Sequence, residues 1–103
     1  MNYLGRLRGV GLLVSGDMPV ARAEFDFDGY VLKSGQVTGS GEIRMPVAAL
    51  QGVFGRNDLL LQTDDGLHLK LRFSDRRLSA DAAAAHVDVT SELPTAAAAD
   101  WRR

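Results

Sequence analysis

A chain of 103 residues with a formal charge of −1, a pI near 6.0 and 46% hydrophobic residues suits one small domain held by its own core. A domain of this size buries only roughly 60–65% of its unfolded surface, so little core is left over for an enclosed site. The charge gives no general attraction to phosphate backbones, and the absence of cysteine excludes disulfides, thiol nucleophiles and thiolate metal sites.

Arg6 and Arg8 precede the apolar run Val10-Gly11-Leu12-Leu13-Val14, an arrangement that superficially imitates a signal peptide. The run is short, holds a glycine and is followed by no A-x-A-like site, so it reads as a strand from about Tyr3 to Ser15. Gly9 and Gly11 mark a bend or bulge within it. Gly16-Asp17-Met18-Pro19 is expected as a turn. After it Ala21, Ala23, Phe25 and Phe27 alternate with Arg22, Glu24, Asp26 and Asp28, because successive strand side chains point to opposite faces. A turn at Lys33-Ser34-Gly35-Gln36 leads to a third strand, in which Val37, Gly39, Gly41, Ile43 and Met45 share one face.

Pro46 lacks the N–H a ladder needs, and Val47, Leu50 and Phe54 follow at helical spacing, predicting a short helix ended by Gly55. Leu59 to Thr63 and Leu67 to Phe73 flank Asp64-Asp65-Gly66, the clearest hairpin signal in the chain. The register that keeps leucines on one face sets Leu61 against Leu69 and Leu59 against Leu71. A polar, alanine-rich loop from Ser74 to Ala85 precedes a last strand, His86 to Leu93. The expected division is a barrel domain over residues 1–93 and a mobile tail over 94–103. The fold class is therefore all-β with one short helix, a six-stranded closed or partly open barrel with an OB-like order of elements; a β-sandwich is the alternative closure.

No sequence element carries a reaction. Glu24, Asp26 and Asp28 share an outer face, and a hairpin closed at Gly16 sets Arg6 near Asp28 and Arg8 near Asp26, so they read as ion-paired surface rather than a metal site. His68 and His86 are the only histidines and bring no third nitrogen or sulfur donor. No serine sits in a G-x-S-x-G elbow, and the two G-x-G pairs lack a dinucleotide fingerprint. Neither a cofactor nor a metal is implied. Phe25 and Phe27 lie opposite the acidic stripe, which argues against the aromatic, basic groove of a single-strand binder.

Surplus apolar surface is the stronger functional signal. Leu60 points away from Leu59 and Leu61, while Val10, Leu12 and Val14 point away from Leu7 and Leu13. With the first and fourth strands adjacent, these four form one exposed patch suited to a protein partner or a homodimer. A bulge at Gly9 or Gly11, burying Val10, Leu12 and Val14, is the competing outcome. An enzyme with a loop-built site from Asp64, Asp65, Asp75 and His86, and a nucleic-acid binder, are the other classes to test. Ten arginines against two lysines, with abundant alanine, point to a bacterium of high genomic GC content. The expected location is cytoplasmic, and no stretch approaches the ~18 apolar residues that span a bilayer.

Overall fold

The computed structural model describes residues 1–95 and Trp101. Six strands, β1 (Asn2–Ser15), β2 (Met18–Val31), β3 (Val37–Arg44), β4 (Leu59–Thr63), β5 (His68–Phe73) and β6 (Ala84–Val89), and one helix, α1 (Val47–Val53), follow in the order β1-β2-β3-α1-β4-β5-β6. They close a barrel in the spatial order β1-β2-β3-β6-β5-β4. Every pairing is antiparallel, including the β1–β4 and β3–β6 seams. The molecule is thus two three-stranded meanders, joined through α1 and hydrogen-bonded to each other along both edges. Closure removes the exposed edges that an open sheet or sandwich would present.

The alternation that predicts the strands also fills the interior. Leu7, Phe27, Gly41 and Val87 lie in one cross-strand row, and Gly9, Phe25, Ile43 and Ala85 in the next. Leu13, Ile43, Leu61 and Val87 are wholly shielded from solvent. Leu50 and Val53 of α1 and Met45 before it join this core. Phe54 and Phe73 add a tilted ring pair with centroids 4.9 Å apart. A small barrel packed this way has side chains where a larger one has a lumen. Across β4 and β5 the expected register holds, with Leu59 opposite Leu71 and Leu61 opposite Leu69. Thr63 closes that hairpin: its hydroxyl accepts the Leu67 N–H at 2.8 Å, and its N–H donates to the Leu67 carbonyl at 2.9 Å.

Boundaries differ from expectation where local chemistry outweighs residue type. The first turn is only Gly16-Asp17, and Met18 and Pro19 belong to β2. Pro19 is tolerated because the register jumps there, from Leu13 opposite Ala21 to Val14 opposite Pro19, leaving Val20 as the extra residue of a bulge. A second jump, from Tyr3 opposite Tyr30 to Gly5 opposite Gly29, leaves Leu4 extra. Gly9 and Gly11 do not reverse the inward face. Their row positions continue the alternation from Leu7 to Leu13, and a Cβ on Gly11 would lie 2.6 Å from the Gln62 carbonyl oxygen.

β6 starts at Ala84, two residues before the alternation becomes visible, since Ala84 and Ala85 carry little strand preference yet pair with Arg44 and Ile43. It ends at Val89. Beyond it the Thr90 N–H donates to the Lys70 carbonyl at 2.9 Å and the Ser91 hydroxyl accepts the Lys70 N–H at 2.9 Å, which replaces ladder pairing by a side-chain contact. Leu93 and Trp101 pack against the barrel core. The remainder of the expected tail beyond Thr95, residues 96–100, 102 and 103, lies outside the described residues.

Candidate interaction surface

The β1–β4 seam brings the four apolar candidates to neighbouring positions. Val14 pairs with Leu60 and Leu12 with Gln62, so residues from strands far apart in the chain share the outer face. Their exposure is unequal. Val10 is 38% exposed and Leu12 and Leu60 are half-buried, but Val14 is only 7% exposed and stands outside the main core cluster. Val14 is therefore a correction to the expected patch: it pairs with Leu60 but is buried and adds almost no free area.

An ion pair invisible to any local pattern divides the stripe. Arg22, opposite Leu12 on β2, donates two hydrogen bonds to Asp64 at the end of β4, at 2.8 and 2.6 Å. Because β1 lies between β2 and β4, this bridge must pass over β1. The Asp64 N–H also donates to the Val10 carbonyl at 3.0 Å, which fixes the crossing between Val10 and Leu12. Val10 consequently faces a separate hollow of about 320 Å³ lined with Ala23, Glu24, Arg44, Met45 and Pro46. Leu12, Val14 and Leu60 remain together on the other side, beside Lys70 opposite Leu60.

Within the acidic stripe Asp26 is the carboxylate that carries the ion pairs. Arg6 stands opposite Asp28 and Arg8 opposite Asp26, as the hairpin register requires. The side chains reach diagonally instead: Arg6 binds Asp26 through two nitrogens, Arg8 approaches the same carboxylate at 3.5 Å, and the Tyr3 hydroxyl donates to Asp28 at 2.9 Å. Diagonal neighbours lie within reach of a guanidinium, and Tyr3 already satisfies Asp28. Among the described residues no group of three or more His, Asp or Glu side chains is placed to hold a metal ion.

These pairs set the acid response. Hydrogen bonds from Arg56 and Ser15 hold the Asp58 carboxyl down from its ordinary 3.8 to about 2. Arg6 lowers Asp26 and Arg22 lowers Asp64 in the same direction. A carboxylate whose folded pKa is depressed stabilises the fold above its unfolded pKa and loses that contribution as pH falls through the folded value. Stability should accordingly decline between about pH 4 and pH 2, with Asp58→Asn flattening the decline in acid titrations followed by circular dichroism. Asp26→Ala should cost under ~1 kcal/mol at neutral pH, because exposed pairs contribute little.

Asp64, Asp65, Asp75 and His86 do not meet at one place. Asp64 and Asp65 lie before β5 and Asp75 after it, so the strand between them holds them ~20 Å apart at 3.4 Å per residue. Each is already engaged: Asp64 by Arg22, Asp65 by the Thr63 hydroxyl, and Asp75 by the His86 backbone N–H at 2.9 Å. His68 and His86 are both exposed, opposite Gln62 and Glu42 respectively. Among the described residues no helix is long and apolar enough to cross a membrane. No family model matches the chain, and comparison with curated proteins and with solved structures finds none similar to it.

Proposed function

We propose that the chain is a non-enzymatic binding or assembly module that acts through the outer face of β1 and β4, by self-association or by holding another protein. One observation carries this reading: Leu12 and Leu60 stand half-buried on the outer face of the β1–β4 seam, beside the buried Val14, on a barrel whose interior is already filled. Covering what remains exposed of Leu12 and Leu60 adds about 1 kcal/mol each, so an interface here also draws on the side chains around them. The helix between β3 and β4 and the β1–β4 closure support an OB-like order of elements. A cysteine-free, arginine-rich composition supports a bacterial cytoplasmic setting. The charge of −1 and the acidic stripe weigh against a nucleic-acid partner.

Leu60→Asp is the test. The variant should keep the circular dichroism of the folded barrel, since Leu59 and Leu61, not Leu60, point inward. It should also lose the concentration-dependent mass increase expected of the natural sequence in light scattering. A natural sequence that stays monomeric at high micromolar concentration removes self-association, and a variant that unfolds makes Leu60 part of the core.

A further inference from the structure

Most charges around Leu60 are neutralised within the chain: Arg22 holds Asp64, and Arg56 holds Asp58. Lys70 and Asp17 are not. Both are exposed, and among the described residues neither side chain makes a hydrogen bond or an ion pair. They also stand on opposite flanks of Leu60. Lys70 is directly opposite Leu60 on β5, whereas Asp17 follows the end of β1, the strand on the other side of β4. Two strand spacings therefore separate the charges across the face, about 10 Å. Between them opens a hollow of about 320 Å³, lined by Gly16, Asn57, Leu60 and Lys70 among others. Met18, next to Asp17 in the chain, is 67% exposed and adds apolar area on that flank.

We infer that the partner of this face is a second copy of the chain, bound about a two-fold axis so that Lys70 of each protomer meets Asp17 of the other and Leu60 packs near its own counterpart. The inference rests on the reading of the outer β1/β4 face as an interaction surface and names what covers it. Charge complementarity carries the choice. A two-fold axis lying in the plane of the face, midway between Lys70 and Asp17, exchanges the two positions, so a single surface supplies both members of each ion pair. Leu60 lies between the charges and hence beside the axis. The Arg22–Asp64 and Arg56–Asp58 pairs are neutral as units and meet a second copy without net repulsion. A partner surface of uniform charge would match one flank and be repelled by the other. The two cross-pairs sit at the rim, where they fix orientation, while the aliphatic side chains between them supply the burial.

Charge exchange tests it. Lys70→Glu and Asp17→Lys are both exposed substitutions, and Asp17 has no positive φ, so each full-length variant should keep the circular dichroism of the barrel. In sedimentation equilibrium each variant alone should dimerise about tenfold or more weakly than the natural sequence, because like charges then face each other at both contacts. An equimolar mixture of the two variants should regain the natural affinity, since both contacts of the mixed dimer again join opposite charges. A mixture that associates no better than its components overturns the two-fold arrangement; if Leu60→Asp still weakens association of the natural sequence, the β1/β4 face stands as the surface and only the arrangement fails. A natural sequence that stays monomeric at high micromolar concentration overturns the second copy as partner and leaves the face to a different protein.

Discussion

Gly41→Ala should abolish the folded barrel, with a cost beyond the ~4–5 kcal/mol that marks exceptional single substitutions. An added Cβ would lie 2.1 Å from the Asp26 carbonyl oxygen and 2.8 Å from the Phe27 Cα. Both are backbone atoms of β2, and neither can turn aside as a side chain can. Relief requires β2 and β3 to separate along the ladder that runs from Glu24–Arg44 to Val31–Val37. The same substitution elsewhere isolates the cause. Gly52 in α1 has open space around it and no positive φ, so Gly52→Ala should stabilise by up to about 1 kcal/mol through helix propensity. Gly66 also has open space but a φ of 101°, so alanine there should cost roughly 1–2 kcal/mol of backbone strain alone. Urea unfolding of the three variants would order them Gly52, Gly66, Gly41 in increasing damage; a stable Gly41→Ala barrel would show that the strands can part cheaply.

Phe27→Ala should be the most damaging of the side-chain truncations. Phe27 is 1% exposed, lies between Leu7 and Gly41 in its row and packs on Phe25 with ring centroids 5.3 Å apart. Truncating a buried phenylalanine costs about 3–5 kcal/mol, and collapse cannot recover much here because a closed barrel holds its walls at fixed spacing. Against a total of about 5–15 kcal/mol for a natural domain, this removes much of the margin. The urea midpoint should fall sharply with little change in slope. Phe27→Leu, which keeps most of the volume, should cost less than half as much.

The alternation of apolar and polar residues was enough to place all six strands, and leucine spacing alone set the β4–β5 register, because a one-residue slip would turn four leucines outward. The hairpin that brings Arg6 and Arg8 beside the acidic stripe is likewise readable from the turn at Gly16, although the bulge at Val20 sets the final register and both arginines reach Asp26. What stayed hidden involves contacts with no local signature. The Arg22–Asp64 bridge joins residues from different meanders, so the division of the apolar stripe could not be seen until the seam was known. The bulge at Val20 was masked by Pro19, which reads as a turn residue in any short window. Gly29 and Gly39 carry no local sign of the side chains that pack against them. Their purpose depends on Trp101 and Leu93, which lie beyond the last strand and show no periodicity of their own.

The two-meander construction also has a consequence in time. Each meander can form from neighbouring strands joined by short turns, but the β1–β4 and β3–β6 seams unite segments separated by most of a meander and the helix. Loop closure of that length must be completed before either seam returns any stabilisation, which places seam formation late and makes it slow. Until then a newly made chain presents four unpaired strand edges, two of them on β1 and β4 beside Leu12 and Leu60, and it is in that interval, not in the finished barrel, that aggregation has its opening.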